Sequence, residues 1–336
     1  MVRARILVVP PVPLYRKLFS VSADQKLRAL GPIRFNESDI DWSADELCQR
    51  IGEADVLVTS WRTPRLTDDI LDRAPRLKLV AHSAGSVKFM LDESLMARGI
   101  AVSTAGAAMV QPVAETTVLL CMLMLRPLHE LHAGLRAGRA WTDMKLAGVG
   151  EELTAQTVGV VGAGQIGRRV IRMLRAWDVD VRVYDPCLTP EDAAALEVTA
   201  YRSLDEMLPR CRIISLHAPI LPQTRHMIGP AQLDRLADGT ILINTARAWL
   251  VDTTALADHL RTGRLRYATD AYDNEPLPID DPWRNMPNTF ILPHIASSTR
   301  QGFYRQGDIT VSEIQRFLTG EPLQYAVTPQ LLKTMA

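Results

Sequence analysis

The 336-residue sequence predicts an α/β protein with two parallel-sheet domains. Three observations support this fold class: the length, the composition, and an alternation of short β-branched runs with helix-length amphipathic segments. A chain of 336 residues fits two domains of about 100–200 residues each. Apolar residues make up 47% and charged residues 23%, so there are enough apolar side chains for a sizeable core.

Charge and patterning exclude several classes of protein. Lys and Arg number 38, as do Asp and Glu, whereas nucleic-acid binding usually needs a basic surplus. The longest apolar run, 118–125, is far shorter than the ~20 residues that span a bilayer. The apolar run near the N-terminus stops at Pro10-Pro11 with no cleavage site after it, which argues against a signal peptide. We therefore expect a cytoplasmic protein that binds neither nucleic acid nor a membrane.

No metal site or disulfide framework is expected either. The four cysteines are Cys48, Cys121, Cys187 and Cys211. They are far apart and include no C-x-x-C pair, which favours buried or reduced thiols. His129 and His132 have the spacing of a ligand pair, but no patterned third ligand follows, so surface or dimer contact is the better interpretation.

Strand patterns fall into two sets separated by a long helical segment. The first set is Arg5–Val9, Val56–Thr59, Leu77–Ala81 and Ile100–Ser103, with helical patterns such as Ala44–Ile51 and Thr67–Arg73 between them. A helical pattern then runs over Val110–Arg126, breaks at Pro127, and leads into a polar stretch, His129–Trp141. The second set is Thr157–Val161, Asp180–Tyr184, Arg212–Leu216, Thr240–Asn244, Leu265–Thr269 and Thr289–Leu292. These six strands, with helices between them, are enough for one doubly wound sheet.

The end of the chain decides the predicted domain organisation. One helical pattern, Ser298–Leu318, follows the last strand and closes at Gly320. A single helix cannot bury its apolar face alone, so we expect it to pack on the N-terminal domain. The first domain is then discontinuous, 1–104 with 297–336, and the second domain, 105–296, is inserted into it.

The segment 158–167 carries the first chemical motif, G-x-G-x-x-G, after a strand and at the start of a helix. In this context Gly162 allows the tight turn, Gly164 lets the backbone approach a pyrophosphate, and Gly167 lets the helix pack on the strand. The N–H groups at the start of the helix, around Gln165 and Ile166, then face the phosphates. The motif predicts a Rossmann-like dinucleotide site.

Asp185 indicates which dinucleotide binds. It follows the next strand, 23 positions after Gly162, where a carboxylate can bind both ribose hydroxyls and repel a 2′-phosphate. No Arg or Lys occurs within 186–192 to reverse that preference. We therefore predict NAD rather than NADP.

Three polar residues follow later strands of the same set: Arg247, Glu275 and His294. Singly, they could be a surface charge, a loop residue and a buried core imidazole. Ligands of open α/β sheets bind at the carboxyl ends of the strands, so together, beside a dinucleotide turn, they indicate catalysis. His294 can exchange a proton near neutral pH, Glu275 can support its charged form, and Arg247 can hold a carboxylate and polarise a neighbouring carbonyl.

Several motifs occur in one order along nearly the whole chain. They are Leu77-Lys78-Leu79-Val80, Val113-Ala114-Glu115, the glycine motif, Leu216-His217-Ala218-Pro219 with Thr224, Asn244-Thr245-Ala246-Arg247, Asp270-Ala271-Tyr272-Asp273-Asn274-Glu275-Pro276, and Pro293-His294-Ile295-Ala296. In this series the chain resembles the D-isomer-specific 2-hydroxyacid dehydrogenases. The resemblance implies two Rossmann-like/flavodoxin-like parallel-sheet domains, NAD as cofactor, and a homodimer formed through the region 110–145.

The resemblance also implies roles for individual residues. Arg247, Glu275 and His294 are the implied catalytic set, and Asp270 is expected to hold the nicotinamide carboxamide. The other implied cofactor contacts are His217, Ala218, Pro219, Thr224, Thr245, Ala246, Arg247, His294 and Ala296.

The chain departs from the family where substrate is expected to bind. The usual two glycines followed by Asp are replaced by Ala84-Gly85-Ser86-Val87-Lys88, although the N–H groups of Gly85 and Ser86 can still bind a carboxylate. The Asn often found near 108–109 is replaced by Ala108-Met109, and the Gly after the catalytic Arg by Ala248. Other candidates at the strand ends of the first domain are Trp61, Arg62, His82 and Lys88. They favour a bulky 2-ketoacid slightly over one with a second anionic group.

We expect an NAD-dependent 2-hydroxyacid dehydrogenase that works as a 2-ketoacid reductase. The alternative is an NAD-sensing interaction protein, like the co-repressors that share this fold. Those proteins typically carry disordered tails, whereas this chain stops at Ala336, soon after its terminal helical pattern. The Glu275–His294 pair argues against formate oxidation, which needs no proton-transferring group.

Overall fold

The computed structural model describes residues 4–91 and 93–335, which form two compact units. Unit 1 contains the described residues up to Val110 and those from Ser298 onward. Unit 2 is Gln111–Ser297. Unit 1 is therefore discontinuous in sequence, and the chain passes between the units after Val110 and after Ser297.

Each unit is built on one parallel sheet. The strands of unit 1 are β1 (Ile6–Val8), β2 (Ile33–Phe35), β3 (Val56–Thr59), β4 (Leu79–His82) and β5 (Ala101–Thr104). The strands of unit 2 are β6 (Thr157–Val161), β7 (Asp180–Tyr184), β8 (Thr199–Tyr201), β9 (Ile213–Leu216), β10 (Ile241–Asn244), β11 (Arg266–Thr269) and β12 (Thr289–Ile291). The sheet orders are β2-β1-β3-β4-β5 and β12-β11-β10-β9-β6-β7-β8.

Helices cover both faces of each sheet, as parallel strands require. The helices of the described residues are α1 (Val12–Leu18), α2 (Val21–Leu30), α3 (Ala44–Arg50), α4 (Asp68–Asp72), α5 (Glu93–Ala97), α6 (Val110–Leu125), α7 (Leu128–Arg136), α8 (Trp141–Ala147), α9 (Gln165–Arg175), α10 (Pro190–Leu196), α11 (Leu204–Met207), α12 (Pro230–Arg235), α13 (Thr253–Arg261), α14 (Arg300–Thr319) and α15 (Pro329–Thr334).

The prediction of six strands for the second sheet was wrong, because the described part of unit 2 forms seven. The additional strand, β8, has three residues and lies at the sheet edge with two of them exposed. The similarly short edge strand β2 in unit 1 was also not predicted. Strands of three residues with exposed positions leave too little alternation in the sequence to be recognised.

The terminal helix α14 packs on unit 1. Its residues Phe303, Val311 and Ile314 belong to the same hydrophobic core as buried residues of β1 and α2. Gly307 faces α1, where a Cβ atom would overlap the carbonyl oxygen of Leu18. This glycine therefore lets the two helices approach closely.

One apolar segment is longer than the uninterrupted run in the sequence suggests. Helix α6 and the 3-10 turn before it, Gly106–Leu125, are long and apolar enough to cross a membrane. However, just over half of this stretch is buried in the protein. Val118, Cys121 and Met124 join the core of unit 2, which explains the apolar character without a membrane.

Candidate active site

The glycine-rich turn of unit 2 joins β6 to α9 at the point where the strand order reverses between β6 and β9. Gly162 has a φ of +97°, in the left-handed region that favours glycine. A Cβ atom at Gly167 would overlap the carbonyl oxygen of Gly162, whereas one at Gly164 would meet no described atom within 4 Å. The turn is therefore closed on its inner side and open at Gly164.

This geometry fits the pyrophosphate of a dinucleotide. Gly164 is the N-cap residue of α9, and no side chain caps the helix. The N–H groups of the first helical turn are consequently available to an anion, and the helix dipole favours negative charge there. Gln165 and Ile166 begin this first turn and Gly167 completes it.

His217 lies beside the turn after β9. Its backbone N–H donates to the carbonyl oxygen of Val161, and a Cβ atom at Gly162 would lie 2.8 Å from the His217 backbone. Its ring Nε2 lies 2.8 Å from the hydroxyl oxygen of Ser215. Burial lowers the pKa of His217 to about 4, so the ring is neutral at pH 7. Thr224, farther along the same connection, donates its hydroxyl to the carbonyl oxygen of Pro219 at 2.6 Å and so shapes this loop.

Asp185 is held next to the turn at the end of β7. Its carboxylate accepts the N–H of Ala163 at 2.6 Å and the N–H of Cys187 at 2.8 Å. These bonds leave further lone pairs on both oxygens, because each carboxylate oxygen can accept two hydrogen bonds. The carboxylate is thus fixed where the ribose of a bound dinucleotide is expected.

Asp270 connects two loops at the carboxyl edge of the same sheet. It is 2% exposed and accepts the N–H groups of Ile295 and Ala296 at 2.7 and 2.6 Å. Burial raises the pKa of Asp270, and the two N–H bonds oppose that shift. The carbonyl oxygen of Ala296 in turn accepts the hydroxyl of Thr116 on α6 at 3.1 Å. The segment after β12 is therefore anchored to both β11 and α6.

His294 and Glu275 form a direct pair. The ring Nδ1 of His294 lies 2.5 Å from Glu275 Oε2, and the other carboxylate oxygen accepts the N–H of Tyr272 at 2.9 Å. The side chains of His294 and Glu275 are 42% and 34% exposed, so a small ligand can reach them. Because Nδ1 faces the carboxylate, Nε2 is the atom presented for proton exchange.

Arg247 shares this electrostatic environment. Burial lowers the pKa of the Arg247 guanidinium, while the nearby carboxylates of Glu275 and Asp270 oppose that shift. The side chain of Asn244 spans the loop, since it donates to the Arg247 carbonyl at 2.8 Å and accepts the N–H of Ala246 at 3.1 Å. The three predicted catalytic residues therefore lie together in unit 2. Thr245, in the same loop, pairs its hydroxyl with that of Thr117 on α6 at 2.8 Å.

The predicted substrate loop belongs to unit 1. Gly85 and Ser86 follow β4, and the side chain of Met109 covers Gly85 so closely that a Cβ atom there would overlap it. His82, a candidate at the end of β4, is buried. It is 1% exposed, its Nδ1 lies 2.9 Å from the hydroxyl oxygen of Thr59, and Phe89 of the following loop packs edge-on against the ring.

Some of the residues that build this site were not predicted. They are Thr117, Ser215, Asn244 and Tyr272. All four act through hydrogen bonds to backbone or to neighbouring side chains, and such bonds leave no pattern in a single sequence. Only their position could have indicated them, since Asn244 and Tyr272 lie within the motifs that contain Arg247 and Glu275.

The described residues contain no group of three or more His, Cys, Asp and Glu side chains that could hold a metal ion. His129, one of the pair considered above, contacts Glu130 at 3.7 Å and packs edge-on against the ring of Phe290.

Comparison with known proteins identifies the family. Residues 118–296 match the family described as D-isomer specific 2-hydroxyacid dehydrogenase, NAD binding domain. The chain belongs to the D-isomer-specific 2-hydroxyacid dehydrogenases. The family resemblance, the fold class of two parallel-sheet α/β domains and the assignment of NAD are thereby confirmed.

Individual relatives carry different names. The chain is 33% identical over 82% of its length to a D-3-phosphoglycerate dehydrogenase from Methanocaldococcus jannaschii, covering 52% of that protein. It is 31% identical to a glyoxylate reductase from Thermofilum pendens, with 87% of each chain covered. A structure of D-2-hydroxyisocaproate dehydrogenase matches with a TM-score of 0.83 and 25% identity, covering 96% of this chain and 99% of that one. The chain spans little more than half the length of the first two curated relatives it matches.

Tyr272 gives this family member a testable positioning residue. Its hydroxyl donates to the carbonyl oxygen of Leu292 at 2.8 Å, and its N–H donates to Glu275, so it connects the loop of Glu275 to the segment that precedes His294. We predict that Tyr272→Phe lowers kcat about 3- to 10-fold, the value of one lost hydrogen bond, with little change in NADH affinity. Steady-state kinetics and NADH titration measure the two effects.

Tyr304→Phe, which removes the hydroxyl of an exposed tyrosine on α14, is the matched control. Equal kcat values for Tyr272→Phe and the wild type would show that the bond to Leu292 does not position the predicted catalytic pair, Glu275 and His294.

Proposed function

We propose that the protein is an NAD-dependent 2-hydroxyacid dehydrogenase that reduces a 2-ketoacid to the 2-hydroxyacid. One observation carries the proposal: Arg247, Glu275 and His294 lie together at the carboxyl edge of a sheet that also carries an open dinucleotide turn. The names of the relatives support the same class of reaction.

Bound NADH supplies the hydride that reduces the substrate carbon. The guanidinium of Arg247 binds the substrate carboxylate and polarises the adjacent carbonyl, which draws electron density from C2 toward the oxygen. The His294 ring, held by Glu275 through Nδ1, gives the Nε2 proton to the oxygen that gains negative charge at C2. The Glu275 carboxylate, in contact with Nδ1, orients the ring and stabilises positive charge on it.

The proton-transfer role can be separated from cofactor binding. We predict that His294→Ala lowers kcat about 10²–10⁴-fold, the usual contribution of a positioned acid–base group, while the dissociation constant of NADH changes little. Turnover of 2-ketoacids by the wild type also distinguishes an enzyme from an NAD-sensing binding protein. NADH oxidation at 340 nm and fluorescence titration provide the two measurements.

The matched control for His294→Ala is His226→Ala, an exposed histidine in another loop of unit 2. A His294→Ala protein with wild-type kcat would remove this residue from the mechanism. Retained kcat with loss of NADH binding would mean that the ring serves the cofactor instead.

The substrate class that we propose is a 2-ketoacid with a bulky apolar side chain. Of the three basic candidates in unit 1, Arg62 pairs with Asp41 at 3.6 Å and His82 is buried against Thr59, which leaves Lys88 alone. Both apolar candidates are available, since Trp61 is only half-buried, packing edge-on against Phe303, and Met109 covers Gly85. Apolar surface contributes about 25 cal/mol per Å² when a substrate covers it.

A substrate panel tests this choice. We predict that kcat/KM at one NADH concentration is higher for 2-ketoisocaproate or phenylpyruvate than for glyoxylate or 2-ketoglutarate. Met109→Ala is expected to reduce the preference over glyoxylate, because the thioether no longer contacts the substrate side chain. Glyoxylate as the best of the four substrates would contradict the proposal, and 2-ketoglutarate as the best would indicate a second anionic group.

We also propose a homodimer formed through the region 110–145 and the residues next to it. Large apolar side chains are exposed on and beside α7 and α8, namely Leu128, Leu135, Trp141, Leu146 and Val149. Exposed apolar side chains concentrated in one segment are typical of an interface.

We predict that the wild type sediments as a dimer and that Trp141→Glu and Leu146→Glu together convert it to a monomer in sedimentation velocity. Ile279→Glu, at an exposed apolar residue outside this region, is expected to leave the dimer intact. A wild-type monomer at micromolar concentration would contradict this assembly.

We also propose that the protein is cytoplasmic. All four cysteines are free thiols, and Cys121 and Cys211 are buried. Free thiols are typical of proteins in a reducing compartment.

A further inference from the structure

An arginine lies next to the ribose-binding carboxylate, although the sequence between residues 186 and 192 contains no basic residue. Arg168 follows the last glycine of the turn, on the first turn of α9. Its Nε donates to the carbonyl oxygen of Ala163 at 2.9 Å, and the N–H of the same Ala163 donates to Asp185. Arg168 also interacts electrostatically with Asp185. A cation is therefore fixed in the region where a 2′-phosphate would lie.

Two indications of cofactor choice thus oppose each other. A carboxylate at the end of the second strand of such a sheet favours NAD, whereas an arginine nearby accommodates the 2′-phosphate of NADP. With Asp185 and Arg168 alone, the local charge would sum to zero. A guanidinium fork is also well suited to bind a phosphate through two parallel hydrogen bonds.

Asp192 occupies the guanidinium of Arg168, so that this arginine does not offset the NAD preference given by Asp185. The Asp192 carboxylate accepts hydrogen bonds from both terminal nitrogens of Arg168, from Nη1 at 2.9 Å and from Nη2 at 2.6 Å. This is the bidentate geometry that a phosphate would otherwise use. The position of Asp192 is fixed at the start of α10, where its N–H donates to the hydroxyl of the N-cap residue Thr189 at 3.1 Å. The side chains of Arg168 and Asp192 are 32% and 36% exposed, so a cofactor phosphate could reach this pair.

We propose that Asp192 is a cofactor-specificity residue, which excludes NADP by occupying the guanidinium of Arg168. The three side chains Asp185, Arg168 and Asp192 then carry one net negative charge, which repels a 2′-phosphate but not a 2′-hydroxyl. This inference rests on the NAD assignment. It adds that the preference depends on two carboxylates rather than on Asp185 alone.

Equilibrium binding of NADH and NADPH to the purified protein tests the proposal without requiring turnover. In Asp192→Asn the side-chain shape and the Thr189 cap are kept, but the charge that holds Arg168 is lost. We expect the NADPH dissociation constant to fall about tenfold, because a charge-assisted bond to phosphate is gained, and that of NADH to change less than about threefold. The double variant Arg168→Met with Asp192→Asn is expected to lose the gain in NADPH affinity.

Glu191→Gln is the matched control, because Glu191 is an exposed carboxylate in the same first turn of α10. It removes one negative charge without touching Arg168, so its NADPH affinity is expected to stay near that of the wild type. Melting temperatures of all variants show whether each is folded.

The outcomes separate this inference from the proposed function. A wild type that binds NADH, with an Asp192→Asn variant whose NADPH affinity is unchanged, overturns the role of Asp192 alone. An equal gain in Glu191→Gln would also overturn it, since general charge would then be the cause. A wild type that binds neither dinucleotide would instead contradict the proposed function.

Discussion

The carboxylate of Asp270 is the interaction on which the arrangement of the site depends. Asp270 lies just past the carboxyl end of β11. Its carboxylate accepts hydrogen bonds from two successive backbone N–H groups of the segment that follows β12. Those N–H groups belong to Ile295 and Ala296, directly after His294, so the carboxylate fixes where that ring can lie. The cost of burying Asp270 is visible in its raised pKa, and the two N–H bonds partly offset it.

Helix α6 supports the same edge from outside the sheet. Thr116 bonds the carbonyl of Ala296, and Thr117, which is fully buried, bonds Thr245 in the loop that carries Arg247. Two successive threonines on one helix therefore hold the loops of His294 and Arg247 at once. Because α6 leads into the proposed dimer region, the same helix would connect the dimer interface to the loops of the site.

The sequence predicted the structure best where a strand pattern is followed directly by residues with a recognisable chemical role. The bounds of β6 and β7 were predicted without error, because buried β-branched runs meet the glycine turn and Asp185 at defined positions. Arg247, Glu275 and His294 could be grouped because parallel strands all end at one edge. In contrast, the short edge strands β2 and β8 and the hydrogen bonds of Asn244 and Tyr272 depend on tertiary contacts. Asp192 shows the same limit: the absence of basic residues in 186–192 suggested a simple NAD site, but Arg168 reaches that site from α9.

Transfer of an isotope from cofactor to product tests the central claim most directly. NADH carrying deuterium at the reactive face of nicotinamide C4 is incubated with the 2-ketoacid of highest kcat/KM, and the product is analysed by NMR. The account predicts one deuterium at C2 of the 2-hydroxyacid, on a single face of that carbon, in water of natural isotopic composition. A product with protium at C2, or no consumption of either cofactor or ketoacid, would contradict hydride transfer at this site.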